Sequence, residues 1–303
     1  MTDMKGAEQP DGPQPDGPHP DQRRPDGMRP ALQETYGPAD LSAATAFAGG
    51  FINFGYWQPA DLKRPLTVAD RVRSQQDLYR RVLDTVGPGP VEGGELLEVG
   101  CGLAVGCALA LREYGPARVT GMDIHPRQLD RARRTTTGPQ APPQPERLRL
   151  VLGAAERMPF EDGAFDGVYS VEAAQHFDDL AAFAEQTARV LRPGGRAVVT
   201  SFFAPDPAAA PRLATLLDSF ATGLDIARPP AELTAAFAGA GLTDVRCESI
   251  GASVWPGWDH WLSAHWKPGT WPRNFLRAWE EGILDYYLIT ANRPALPAGE
   301  RAR

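Results

Sequence analysis

The chain has 303 residues, 42% of them hydrophobic, and a formal net charge of -7 at pH 7. That size and apolar content give one large core or a core with a smaller cap and exclude disorder throughout, while the acidic balance excludes a non-specific nucleic-acid binder, which needs Lys and Arg to displace phosphate counterions. No apolar run is long enough to span a bilayer, and the proline-rich, charged N-terminus lacks the apolar stretch of a signal peptide, so a cytoplasmic protein with no membrane span is expected.

Residues 1–30 repeat Pro-Asp-Gly and Asp-Gly-Pro units with few apolar side chains, too few to offset the entropy of ordering. A disordered tail is expected there, and its removal through residue 29 should leave folding and turnover intact. From Ala31 to about residue 90 the chain becomes amphipathic and aromatic, with "GGFINFGYWQP" between two expected helices, the second reading "TVADRVRSQQDLYRRVLDTV". This is read as a helical N-terminal cap, 31–90. After "GPGPVEGG" short apolar runs alternate with helical patterns across residues 91–294: "ELLEV", "ARVTGMDI", "LRLVLG", "FDGVYSV" and "GRAVVTSFF". Such alternation predicts strands and crossover helices of a parallel, doubly wound sheet. One helix opens at "PRQLDRAR", with proline in its first turn, and another, "DLAAFAEQTARVL", stops at "RPGG". "TDVRCESIG" and "LDYYLITAN" are late strands. The expected fold is α/β: a Rossmann-like, doubly wound, mostly parallel sheet with a late antiparallel edge strand and the helical cap, closed by a short tail at 295–303. Cys101, Cys107 and Cys247 have neither the number of a disulfide framework nor the spacing of a zinc site, so reduced thiols and no metal are expected.

The stretch "LEVGCGLAVG", starting at Leu97, runs from a buried strand into a helix, where backbone N–H groups can approach a ligand. By itself it fits a dinucleotide, a phosphate, S-adenosylmethionine or an unliganded turn. Gly100, Gly102 and Gly106 are spaced G-x-G-x-x-x-G and not as a nicotinamide fingerprint, and no Gly-Lys-Ser or Gly-Lys-Thr follows to make a P-loop. "VTGMDIHP" ends its strand with Asp123, an acceptor placed for ribose hydroxyls or, alternatively, a helix-capping carboxylate. "GAAERMPFEDGAFDGVYSVEAAQHF" and "ARVLRPGGRAVV" follow in order.

Together these motifs resemble the class I S-adenosylmethionine-dependent methyltransferases, from Tyr79 to Pro294. The resemblance implies S-adenosylmethionine as cofactor. It places Glu98, Gly100 and Gly102 along the methionine half, Asp123 on the ribose, Ile124 on the adenine ring, and Ala155 and Glu156 at the adenine edge. Two departures stand out: Ala104 replaces a third glycine, and Ala154 stands where an aspartate often receives the adenine amino group.

Methyl transfer is an in-line displacement, so alignment, water exclusion and sometimes proton removal are what a protein must supply. "SVEAAQHF" offers Glu172 and His176 as candidate bases; contacts to the cofactor's amino group and helix capping are the structural alternatives. Six of the seven tryptophans fall between Trp255 and Trp279. They can pack a core or form an aromatic lid able to stabilise positive charge, with Phe54, Tyr56, Trp57, Trp258 and Trp261 as the expected acceptor-binding residues. The run from "PGWDHW" to "DYYLITANRP" is similar to the C-terminal part of prenyl-diphosphate C-methyltransferases, in which a glutamate at the place of Glu172 is the base. No cluster of Arg and Lys for a free diphosphate is evident, so a prenylated or otherwise apolar natural product fits better than a free prenyl diphosphate; more broadly, the chain resembles the tailoring methyltransferases of secondary, including antibiotic, metabolism. Its acceptor would be a small apolar natural product, prenylated or polyketide-like, methylated on carbon or oxygen. A cyclase or binding protein that keeps the fold without methyl transfer is the alternative; homo-oligomerisation is allowed but not specified.

Overall fold

The five apolar runs and the two late segments form seven strands: β1 (Glu95–Val99), β2 (Arg118–Asp123), β3 (Leu148–Leu152), β4 (Phe165–Val171), β5 (Leu191–Phe203), β6 (Thr243–Ser249) and β7 (Asp285–Asn292). They belong to a computed structural model that describes residues 28–38, 40–44, 46–137, 141–264 and 266–296; the expected tails lie almost wholly outside these residues. The central strands are covered on both faces, and this explains why they read as continuous apolar runs without alternation.

The sheet order is β3-β2-β1-β4-β5-β7-β6. β1 pairs in parallel with β2 and β4, so that Leu97 stands opposite Thr120 on one side and Val168 on the other. The strand order reverses about β1, and the loops after β1 and β4 part there to leave a crevice at the carboxyl ends of the strands. The antiparallel late strand expected at the edge of the sheet is β7, which pairs with β5; β6 runs along its outer side.

Two N-terminal helices bear on the site. α1 (Pro30–Tyr36) lies over the crevice, with Leu32 and Tyr36 on its wall. α2 (Val68–Val86) begins with a capping box between Thr67 and Asp70 and buries Arg71, Ser74, Gln75, Leu78, Tyr79 and Val82 along one stripe. This second helix was expected in the cap, but it packs on β4, β5 and the helix Val105–Glu113. Its apolar stripe is therefore part of the layer that covers the sheet, and the covering of the site is left to α1 and residues 46–58.

No helix among the described residues is long and apolar enough to cross a membrane.

Candidate active site

The glycine turn after β1 is shaped by three different demands. Gly100 takes φ 79°, donates its N–H to Met122 O at 2.8 Å, and leaves no room for a side chain: a Cβ there would lie 2.4 Å from Ala173 Cβ. Gly102 takes φ 51°, and a Cβ on it would meet nothing within 4 Å, because it faces the open cavity. Gly106 lies inside the helix, where a Cβ would stand 2.0 Å from Tyr79 Cε1. The third glycine thus serves close packing against α2, and its irregular spacing follows from that. Ala104, the departure from the glycine pattern, caps this helix in the left-handed region at φ 56°, a conformation that costs a non-glycine residue about 1 kcal/mol.

Asp123, at the end of β2, holds this turn in place. Its Oδ2 accepts from Gly102 N and its Oδ1 from His125 N, both at 2.8 Å. Burial pushes its pKa up, opposed by the two N–H groups. A carboxylate has about four lone-pair sites, so two remain for hydroxyls in the cavity. Ile124, Ala155 and Glu156 share the wall with Gly100, Gly102 and Asp123, and the cavity they enclose measures about 410 Å³. Glu156 Oε1 also accepts from Asp178 N at 3.0 Å.

Glu98 is placed differently from the expectation. Its carboxyl points into the core beneath the turn, where it accepts from Tyr79 Oη at 2.8 Å, Cys107 Sγ at 2.9 Å and Tyr169 Oη at 3.2 Å. Burial raises its pKa to about 7. β1 alternates its side chains, and the strand register turns Glu98 away from the cavity and towards α2.

Glu172 and His176 both reach the cavity. Glu172 follows β4 with φ 51°, and its Oε1 accepts from Phe54 N at 2.7 Å and from Tyr286 Oη at 2.9 Å. Burial pushes its pKa to about 8, so the carboxyl holds its proton at neutral pH. His176 Nε2 lies 2.9 Å from Tyr36 Oη, while Nδ1 lies 3.0 Å from both Leu224 O and Asp225 Oδ1. Tyr36, Tyr286 and Asp225 escaped the sequence reading. Tyr36 and Tyr286 sit in helix and strand patterns that carry no site signal, and Asp225 is a loop residue.

The aromatic residues expected to bind the acceptor do not line the cavity. Phe54 touches the site through its backbone N–H. Its ring centre lies 4.8 Å from those of Trp258 and Phe275 and 5.0 Å from that of Trp255, inside the core. Trp57, Trp258 and Trp261 are buried, their indole N–H groups donating to Phe54 O, Pro272 O and Ala46 O, and Tyr56 packs against the same cluster. The cation these rings face belongs to the protein. The buried Arg71 guanidinium lies 5.1 Å from the Trp258 ring and 5.7 Å from that of Trp57, and it donates to the carbonyls of Ala46, Asn53 and Phe54. Burial lowers its pKa to about 9. A charged residue on the buried stripe of α2 was the available signal. Among the described residues no cluster of three or more His, Cys, Asp or Glu is arranged to hold a metal ion.

Residues 97–199 match the family model described as "Methyltransferase domain". Over 148 residues the chain is 34% identical to a fatty-acid O-methyltransferase of Mycolicibacterium smegmatis, a match covering 48% of this chain and 50% of that protein. The chain therefore spans about half the length of that relative. A geranyl diphosphate C-methyltransferase from Streptomyces coelicolor A3(2), crystallised with Mg2+, geranyl diphosphate and S-adenosyl-L-homocysteine, superposes with a TM-score of 0.70 at 18% identity. That superposition covers 88% of this chain and 98% of the other. The cyclase SpnF superposes with a TM-score of 0.66 at 20% identity over 88% and 94% of the two chains. These structures share the fold.

Proposed function

We infer that this chain, which carries a methyltransferase domain at residues 97–199, transfers a methyl group from S-adenosylmethionine to a carbon or oxygen of a small, largely apolar acceptor. The observation that carries this reading is that one cavity is walled both by the glycine turn with Asp123 and by Glu172, His176 and Tyr36. The residues suit the cofactor. Gly102 leaves its side of the cavity open, Asp123 keeps lone pairs for a ribose, and Ile124 and Met122 offer apolar surface to an adenine ring.

Bound S-adenosylmethionine would supply a sulfonium methyl group open to in-line displacement. The protein's part is alignment, exclusion of water and disposal of a proton. Glu172 is fixed by Phe54 and Tyr286 and is protonated at neutral pH, which suits it to donate a hydrogen bond. On the carbon branch it would serve as base in its ionised fraction. His176 lines the cavity with its Nε2 against Tyr36 Oη and is the second candidate proton acceptor. The relative's name, a fatty-acid O-methyltransferase, supports a lipid-like or natural-product acceptor. A place in secondary metabolism and in the cytoplasm belongs to the same proposal.

Calorimetry with S-adenosylmethionine and S-adenosylhomocysteine, followed by product mass with labelled cofactor and a panel of prenylated, phenolic and fatty-acid acceptors, tests it. Cofactor binding with a gain of one CH2 unit is the expected result. Conversion of an acceptor without that gain would turn the assignment to cyclisation, and no cofactor binding would remove it.

A further inference from the structure

Tyr36 and His176 are 140 positions apart in the chain, yet their polar atoms meet on the wall of the cavity. The protonation of this contact can be deduced. Nδ1 of His176 faces two acceptors, the carbonyl of Leu224 and the carboxylate of Asp225, so it carries the ring proton. Nε2 is then a lone pair, and the hydroxyl of Tyr36 donates to it across 2.9 Å. Gln175 Nε2, 3.3 Å from the same nitrogen, is a second donor that supports this tautomer. Asp225 is buried behind the ring, and its Oδ1, 3.0 Å from Nδ1, has no hydrogen-bond donor of its own while Leu224 O takes the N–H. Of the other ionisable groups nearby, Glu172 and Asp123 share the cavity wall, and Arg29 engages the carbonyl of His176 and pairs with Asp178.

We propose that Tyr36, His176 and Asp225 form a proton relay, and that the acceptor is an apolar molecule bearing an acidic hydroxyl, a phenol or an enol. The proposal rests on the methyltransferase reading and deepens it to the substrate class. The acceptor O–H, held in the cavity that Tyr36 lines, donates to Tyr36 Oη. As the acceptor oxygen takes the methyl group, the C–S electron pair stays on sulfur and the O–H bond breaks. The acceptor's proton passes to Tyr36 Oη, and the Tyr36 proton passes to His176 Nε2. Asp225 balances the resulting imidazolium and acts as a positioning residue. An alkene has no proton to give before it is methylated, so the relay would have no partner at the outset. Acidity decides between hydroxyls: a phenol or an enol gives up its proton to a nitrogen base far more readily than an aliphatic alcohol does.

The test uses the full chain saturated with S-adenosylhomocysteine and three probes: para-octylphenol, its methyl ether and octylbenzene. The expected result is that the phenol binds about tenfold or more tightly than the other two, and that Y36F abolishes the preference while still folding and binding S-adenosylhomocysteine, its Tm lowered by no more than the loss of one hydrogen bond. With S-adenosylmethionine the phenol should gain its methyl group on oxygen. Nitrogen NMR of the His176 ring should show the Nδ1–H form. Asp225→Asn should raise the Nε2–H form and lower kcat with little change in KM, and Asp225→Glu should restore the original form in part. Equal binding of phenol and ether, a preference that survives in Y36F, or methylation of a ring carbon would overturn the relay. Failure of the unaltered protein to bind S-adenosylhomocysteine would overturn the methyltransferase reading itself, so the two failures are distinguishable.

Discussion

The main-chain N–H of Phe54 donates to Oε1 of Glu172 at 2.7 Å, and so one carboxyl oxygen ties residues 46–58 to the end of β4. The same oxygen receives Tyr286 Oη from β7. Three distant segments converge on a side chain that burial keeps protonated at neutral pH.

That protonation gives stability a pH dependence of known sign. The carboxyl titrates near 4.5 in the unfolded chain and at about 8 in the fold. Between these values the folded state holds a proton that the unfolded state has released, so this group's contribution falls as pH rises, by about 1.4 kcal/mol per pH unit at most. Glu172→Gln removes the titration and retains a carbonyl acceptor for Phe54 and Tyr286. Urea unfolding at about pH 5 and about pH 8 should show the variant gaining on the parent by a few kcal/mol across the window. Parallel stability curves would remove Glu172 as a buried acid.

The glycines of the turn should fail in different ways. Gly106→Ala drives a methyl group into the Tyr79 ring and should cost about 3 kcal/mol of stability. Gly102→Ala meets no protein atom, but it strains a residue at φ 51° and projects into the cavity. Its stability loss should be about 1 kcal/mol, with cofactor affinity down by about tenfold or more. Denaturation and calorimetry on both variants distinguish them; a reversed pattern would mean that the turn faces the other way.

A carboxylate that only met ribose hydroxyls could be removed at the expense of binding alone. Asp123 also satisfies Gly102 N and His125 N, so Asp123→Ala should lower stability by about 2 kcal/mol as well as weaken the cofactor. Asp123→Asn keeps a carbonyl acceptor for one of the two and should fall between. Unchanged cofactor affinity in Asp123→Ala would take this side chain out of the site.

The last residue of the stretch expected to be removable without loss of folding or turnover makes contacts that a truncation through residue 29 would delete. Arg29 donates to His176 O at 2.6 Å, to Leu224 O at 3.1 Å and to Gly223 O, and it pairs with Asp178 at 2.6 Å. Arg29→Ala should release α1, raising amide hydrogen exchange at residues 32–37 by about tenfold. Unaltered exchange there would show that Arg127 and Arg131, which donate to the carbonyls of Tyr36 and Gly37, hold the helix unaided.

The central strands were legible because burial on both faces leaves apolar runs bounded by Gly and Pro, whereas β6, largely exposed, was found by its place late in the chain; all seven expected segments became strands. The glycine-turn side of the candidate site was legible for a related reason: Gly100, Gly102, Asp123 and Ile124 lie at or just after the ends of neighbouring strands, and the fold alone brings strand ends together onto one cavity wall. Glu98 was misplaced because strand alternation settles which face it takes, and the motif does not reveal this. The wall proposed for the acceptor was largely illegible. Tyr36 and Tyr286 arrive from opposite ends of the chain, and Asp225 comes from a loop with no motif. The tryptophan cluster was visible as composition, but composition does not tell which way a ring points, and the cation it surrounds is Arg71.

β7 enters the sheet between two strands that precede it in the chain, β5 and β6. On the ribosome, β6 emerges first and has no partner until residues 285–292 follow. Until then the β5 edge is open and β6 is unpaired, and both are vulnerable to pairing with other chains. Tyr286 rides in on that inserted strand. The glycine turn and β1 to β4 can assemble while synthesis continues, but the hydroxyl that steadies Glu172 arrives only with the closing segment, so the Glu172 wall of the cavity should be completed after the glycine-turn wall during the protein's own birth.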